Sequence, residues 1–296
     1  MFAGFHEDLI DIDGRNVFVR YKGTGEPLLL LHGFPQTHVM WHRIAARLAE
    51  SFFVVCADLP GYGRSEAPPP SADHAAHSKR AMGTTLVEAM SRLGFGRCMV
   101  AGHDRGGRVA YRMALDHADR VLKIAVLDVV PTNEVLDRAD ARLATSFWPW
   151  SLLSQPAPLP ERLLAADPEA VIDDAVSAWG SPAQAFPKEV RALYADALRN
   201  PASVRSICEE YRASVTVDAE TDRRDRRAGC RISCPVLVLW SDGAVNEWYA
   251  DVGGPLALWK QWAPYAHGER VSGGHFFPEA NPDAAHDLLC DFFLQG

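Results

Sequence analysis

Nine residues in the first half of the chain, Val100-Ala101-Gly102-His103-Asp104-Arg105-Gly106-Gly107-Arg108, constrain the fold more than any others. A strand-like apolar run, Cys98–Gly102, leads into them, and a helical pattern, Gly106–Asp116, follows directly. Glycines on both sides of one polar residue, at a strand-to-helix junction, permit a tight and strained turn that pushes the central side chain outward. Here that side chain is Asp104. A simple helix cap by Asp104 is the bland alternative. It leaves the glycines on both sides unexplained.

The surrounding pattern supplies the sheet such a turn needs. Val17–Tyr21 and Pro27–Leu31 read as a first pair of strands, and Phe52–Ala57, Lys123–Val130 and Pro235–Trp240 as further ones. A long amphipathic segment, Lys79–Leu93, and a terminal helix around Asp283–Phe293 lie between and after them. Strands separated by helices predict an α/β fold, a mostly parallel sheet with helices on both faces. From about Pro131 to Thr216 the pattern turns helical and rich in Trp, Pro and Leu, which predicts an inserted helical cap. The expected division is core 1–135, cap 136–216 and core 217–296. The run Arg223-Arg224-Asp225-Arg226-Arg227 interleaves both signs and reads as a solvated, locally paired surface.

Charge and apolar runs exclude several classes. With 38 acids against 30 bases the formal charge is −8, which disfavours a nucleic-acid surface. There is no run of about 18 apolar residues for a membrane span. Met1–Ile10 carries His6, Glu7 and Asp8 where a secretory signal needs a basic then apolar run, so a cytoplasmic protein is expected. Its six cysteines are scattered, as suits reduced thiols. Cys230 and Cys234 lack the second Cys or His pair of a zinc site, so no metal is expected.

An aspartate nucleophile implies a definite reaction class. A carboxylate attacking an sp³ carbon displaces a leaving group and leaves an alkyl ester on the enzyme. Water deprotonated by a histidine then hydrolyses the ester. His275, in the Gly-rich loop Ser272-Gly273-Gly274-His275 before the last helix, fits the base. Two acids after strands, Asp128 and Asp242, are candidates to orient it. Asp128 is preferred, because an Asp inside so apolar a run needs a reason to be there. A backbone N–H from the His32-Gly33-Phe34-Pro35 loop and that of Arg105 are candidate oxyanion donors. His32 itself reads as a core histidine supporting the loop. Arg105 and Arg108, three apart at the start of the helix, would clamp a substrate carboxylate. The competing reading pairs one of them with a cap acid such as Glu134.

These segments, with LLLLHGFPQTHVMWHRIAARLA, DLPGYGRS, GHDRGGRVAYRMALDH, LDVVPT, QPAPLPERLL, CEEYRAS and SGGHFFPE, resemble the haloacetate (fluoroacetate) dehalogenases of the α/β-hydrolase superfamily. The resemblance implies an α/β-hydrolase fold with Asp104 as nucleophile, His275 as base and Asp128 as its acid. It also implies Arg105 and Arg108 as the carboxylate clamp, Phe34 and Arg105 as backbone oxyanion donors, no cofactor, and a homodimer acting on a short carboxylate. Trp150 and Tyr211 take the places of the family's halide-holding Trp and Tyr. Where fluoroacetate-active members carry a His before that Trp, this chain has Pro149, which has no donor. His103, Pro149 and Trp179 complete the expected pocket. Losing that donor predicts that chloro- or bromoacetate is turned over better than fluoroacetate. The nearest alternative is an epoxide hydrolase with the same Asp-His-Asp set, using Tyr211 and Tyr194 to protonate the opening oxygen. A non-catalytic receptor for a small acid is the other class, and turnover lost in Asp104→Asn separates it from an enzyme.

Overall fold

The computed structural model describes residues 1–295. Eight strands form one sheet: β1 (His6–Ile12), β2 (Arg15–Lys22), β3 (Glu26–Leu31), β4 (Phe52–Ala57), β5 (Cys98–His103), β6 (Val121–Leu127), β7 (Val236–Ser241) and β8 (His267–Val271). Their spatial order is β1-β2-β4-β3-β5-β6-β7-β8. The β1–β2 and β2–β4 pairs are antiparallel and every other pair is parallel. Two of the expected strands, at Val17–Tyr21 and Pro27–Leu31, are therefore not neighbours, because β4 lies between them.

The central strands are apolar on both faces because helices cover both. Leu28 to Leu31 in β3 and Val100 and Ala101 in β5 are all buried. Each fully buried Leu contributes about 1.5–3 kcal/mol relative to exposure. The helix Lys79–Arg92 packs against the helix Arg105–Asp116, which lies on β5 and β6. Two strands escape the sequence reading, β1 and β8. Both are edge strands rich in charge (HEDLIDI and HGERV), and only one face of β1, at Ile10 and Ile12, turns inward. Strand β6 ends at Leu127 and not at Val130, because Asp128 takes φ +51° and leaves the ladder.

Between β6 and β7 the described chain is helical, with no strand. Asp167 caps the helix Pro168–Ala178 through Ala170 N–H, and Asn200 caps Pro201–Ala213 through Ala202 N–H, each with Pro at the first turn. The last of these helices continues through a π turn, Ser214–Asp218, into Ala219–Arg227. The expected boundary at 216 falls inside this turn, where the backbone runs on without a break. The arginine run on it is paired, but mostly with acids outside the run: Arg223 with Asp137, Arg226 with Glu134 and Arg227 with Glu220, while the interleaved Asp225 is buried and pairs with Arg112. None of the described helices is long and apolar enough to cross a membrane.

Candidate active site

The site is built where β5 stops. Asp104 adopts φ +46° and ψ −113°, a conformation that costs a non-glycine residue about 1–3 kcal/mol. The turn is tight enough to exclude side chains beside it. A Cβ on Gly102 would lie 2.3 Å from Gly106 O, and one on Gly106 would lie 2.5 Å from His32 O. Asp104 N–H donates to Leu127 O (3.1 Å), which ties the turn to β6. The carboxylate Oδ2 accepts the Phe34 N–H (3.0 Å). Gly33 makes this approach possible, since a Cβ there would stand 2.7 Å from Oδ2. Burial raises the Asp104 pKa, but His275, Arg105, His103 and Arg108 together hold it below its ordinary value. Asp104 is therefore an ionised carboxylate.

Asp128 and His275 meet across the end of the sheet. Asp128 N–H donates to Leu239 O (2.8 Å), its Oδ1 accepts Ser241 N–H (2.7 Å), and its Oδ2 accepts His275 Nδ1–H (2.6 Å). That contact fixes the imidazole with its proton on Nδ1 and leaves Nε2 to act as base. Burial lowers the His275 pKa, yet the hydrogen bond and charge of Asp128, with the charge of Asp104, raise it above the ordinary value. Asp242, the other candidate acid, is exposed. The backbone of His275 is held from two sides. Its N–H donates to Trp179 O (2.9 Å), and its carbonyl accepts His103 Nε2–H (2.7 Å). His103 thus sits behind the catalytic loop and not in the pocket. Burial and the His275 charge hold its pKa down at about 4, so it is neutral.

Asp104, Arg108, Asp128, Trp150 and His275 line one cavity with Val129, Val130, Val135, Leu143, Phe147, Val245, Trp248 and Tyr249. Its volume is about 40 Å³. One water needs roughly 10–15 Å³, so the space suits a ligand of a few heavy atoms. Of the expected clamp and pocket residues, Arg105, Tyr211, Pro149 and Trp179 do not line it. Pro149 is buried in the short helix Trp148–Leu153, and Trp179 backs the His275 loop, 5.5 Å from the imidazole by ring centroids. Trp148 ties its indole N–H to Asp174 (2.8 Å), which is a packing role. His32 behaves as the loop support expected of it, giving Nδ1–H to Gly33 O (3.0 Å) and accepting Leu59 N–H (3.0 Å) at Nε2.

The two arginines differ. Arg108 gives Nη1 to Val130 O (2.8 Å) and Thr132 Oγ1 (3.3 Å), while its Nε is buried without a partner. Arg105 is fully buried, and Glu210 takes its Nε (2.9 and 3.0 Å) and its Nη2. One nitrogen, Nη1, is left unpartnered. Glu134, the acid that the competing reading proposed, pairs instead with Arg138 and Arg226. Trp150 stacks under both guanidinium groups at 4.8 Å, and Tyr211 lies 4.1 Å from Arg105 and edge-on to Trp150. Burial and the neighbouring Arg105 charge lower the Arg108 pKa, a strain that a bound anion would relieve.

The α/β-hydrolase fold model matches residues 26–282. A fluoroacetate dehalogenase from Burkholderia sp. is 41% identical over 99% of this chain and 95% of that protein. The chain belongs to the dehalogenase family of the α/β-hydrolase superfamily. A soluble epoxide hydrolase from Corynebacterium sp. is 29% identical over 95% of each chain. Among solved structures, a candidate α/β hydrolase from Nostoc sp. PCC 7120 superposes with a TM-score of 0.95 at 41% identity, covering 100% of both chains. A candidate epoxide hydrolase from Pseudomonas aeruginosa gives 0.92 at 43% identity, covering 98% of this chain and 96% of that one.

Sequence reasoning missed Glu210, Trp248 and Tyr249. Glu210 carries a usable signal: Ser203, Ser206, Glu210 and Ser214 recur at intervals of three and four, and all four are buried. An acid on that stripe requires a cation, and Arg105 and Lys79 both supply one. Trp248 and Tyr249 follow β7 in a short helix, and nothing in the local pattern separates them from ordinary packing aromatics.

Proposed function

We propose that this α/β hydrolase removes halide from a short 2-haloacid such as a haloacetate. The observation that carries the reading is an ionised Asp104 in a cavity of a few heavy atoms, shared with Arg108 and the Asp128–His275 pair. Arg108, which lines the cavity, holds the substrate carboxylate and sets the adjacent carbon against Asp104, with the unpartnered Nη1 of Arg105, outside the lining, as the clamp's second donor. The attacking oxygen of Asp104 forms a C–O bond as the C–X bond breaks with its electron pair on the halide. Trp150, which lines the cavity, and Tyr211, edge-on to it, are the groups assigned to stabilise that charge.

The resulting ester is hydrolysed at the Asp104 carboxyl carbon. His275 Nε2 takes a proton from water, the hydroxide adds, and the Phe34 N–H, already on Oδ2, stabilises the oxyanion with Arg105 N–H. Collapse returns the Asp104 carboxylate and releases the 2-hydroxy acid. The net reaction consumes one water and yields one halide and one proton. Alkylation also removes the Asp104 charge that helps raise the His275 pKa. The base is thereby freed at the step that needs it.

Pro149 offers no donor to the leaving group, so chloride and bromide leave better than fluoride in this reading. The epoxide alternative is favoured by the similarity to epoxide hydrolases. It needs a second tyrosine donor, and Tyr194 instead gives its hydroxyl to Glu279 (3.0 Å). The deciding experiment is halide release from chloroacetate and fluoroacetate, with Asp104→Asn as the blank. Release that depends on Asp104, faster for chloroacetate, is expected. Diol formation from a carboxylated epoxide with no halide from either acid would overturn the reading.

A further inference from the structure

Four residues after His275, Glu279 is fully buried in the helix Phe277–Ala280, and it belongs to neither the triad nor the arginine clamp. Three segments converge on it. Gln36, two residues beyond Phe34 in the oxyanion loop, points Nε2 at Glu279 Oε2. Tyr194, in the helix Lys188–Leu198 of the insertion, donates its hydroxyl to Oε1 (3.0 Å). His42 Nδ1 lies 3.6 Å from Oε1, in the 3-10 helix His38–Arg43, but that nitrogen already serves Val39 O (3.0 Å). Burial keeps His42 below its ordinary pKa, so it brings no charge. Arg43 is the one cation whose charge reaches the carboxyl, and it spends Nη2 on Ala185 O (3.0 Å).

A buried carboxylate without an ion pair is unfavourable, and such a group stays protonated instead. Burial pushes the Glu279 carboxyl up to about 8, against the Tyr194 and Gln36 hydrogen bonds and the Arg43 charge. Gln36 Oε1 is buried with no partner. Amide oxygen and nitrogen are interchangeable in such placements, and turning the amide over sets Oε1 on a protonated carboxyl. The neutral acid then donates to Gln36 Oε1, and the amide position left without a partner becomes Nε2. An ionised Glu279 demands the opposite amide orientation. Gln36 N–H closes a turn on Gly33 O (3.0 Å), in the same loop that presents Phe34 N–H to Asp104.

We propose that Glu279 is a positioning residue that works as a neutral acid, fastening the oxyanion loop to the insertion helix through Gln36 and Tyr194, and that its ionisation loosens the loop and slows ester hydrolysis. The carboxyl exchanges no proton with substrate or water during turnover. This inference rests on the hydrolytic reading of the site.

The test compares parent, Glu279→Gln and Tyr194→Phe by pH profile and by thermal melting. A glutamine keeps one donor and one acceptor but cannot ionise. The parent should fall about fivefold in kcat between pH 8 and pH 9, as a carboxyl that titrates at about 8 loses its proton. Glu279→Gln should turn over within about threefold of the parent at pH 7 and lack that alkaline limb. Tyr194→Phe removes a donor to the ionised form, so its limb should move to higher pH. Melting needs no substrate. From pH 5 to pH 8 the unfolded parent ionises at Glu279 while the folded parent keeps its proton, so the parent should lose Tm relative to Glu279→Gln, with the gap levelling above about pH 8. An alkaline limb that persists unchanged in Glu279→Gln, or a Tm gap that is flat with pH, overturns the proposal. A parent with no halide release at any pH but with the expected Tm gap would fault the hydrolytic reading and the loop coupling, and leave the neutral acid standing.

Discussion

Replacing Asp128 with Asn should separate the two chemical steps. Asn has nearly the same volume, and its Oδ1 can keep the Ser241 N–H that now donates to Asp128 at 2.7 Å. Its amide nitrogen then faces His275 Nδ1, at the place where the parent has a 2.6 Å charge-assisted contact. Two donors cannot face each other, so the imidazole proton moves to Nε2, the atom that must accept a proton from water. The equivalent tautomer error in a serine protease costs about 10⁴ in kcat, or roughly 5.5 kcal/mol at 1.36 kcal/mol per tenfold. Asp104 needs no base to attack carbon, so alkylation survives. Rapid-mixing halide assays with chloroacetate should therefore show a burst of one halide per site, followed by turnover slowed about 10⁴-fold. Intact mass should show the carboxymethyl group retained on Asp104. Losing Asp128 also removes what raises the His275 pKa, so any residual activity should persist to lower pH than in the parent. Steady-state turnover within tenfold of the parent, or slow turnover without a burst, would refute the assignment of His275 and Asp128 to the hydrolytic half alone.

Two further substitutions probe the walls of the site. Gly33→Ala puts a Cβ 2.5 Å from Asp104 Cβ and 2.7 Å from Oδ2, which forces the Phe34 N–H away; kcat should fall about 10²–10³-fold, the cost of one oxyanion donor, with the circular dichroism spectrum unchanged. A smaller loss than tenfold would mean that the loop yields freely. Pro149→His restores an N–H donor at the second residue of a short helix, where no intrahelical bond is at stake. The fluoroacetate-to-chloroacetate rate ratio should rise by up to about a hundredfold, and an unchanged ratio would show that position 149 does not face the leaving group.

What the sequence disclosed and what it hid follow from how each residue is held. Asp104, Asp128 and His275 stand out in the sequence because their placement depends on local backbone. A Gly-x-Asp-x-Gly run at a strand-to-helix junction points to a tight turn, an aspartate inside an apolar run demands a partner, and a histidine in a glycine-rich loop is free to be aimed. The positive φ of Asp104 and Asp128, at +46° and +51°, is the physical trace of this, since each ends its strand at the same edge of the sheet. The arginine pair is visible in the sequence, but the difference between its two members is not. Arg105 and Arg108 are alike in the sequence, yet Glu210, more than a hundred residues away, consumes two nitrogens of one and none of the other. Which of Glu209 and Glu210 turns inward is decided by helix register alone. Glu209 faces His74 and Arg212 near the surface, while Glu210 lies among Lys79, Arg105, Tyr62 and Ser214. A reader of helical periodicity can find the buried stripe, but its charge balance appears only when the sheet brings Lys79 and Arg105 to the same place. Glu279 is the same kind of residue, since only the meeting of three segments that bring it no arginine or lysine ion pair makes it an acid that stays neutral.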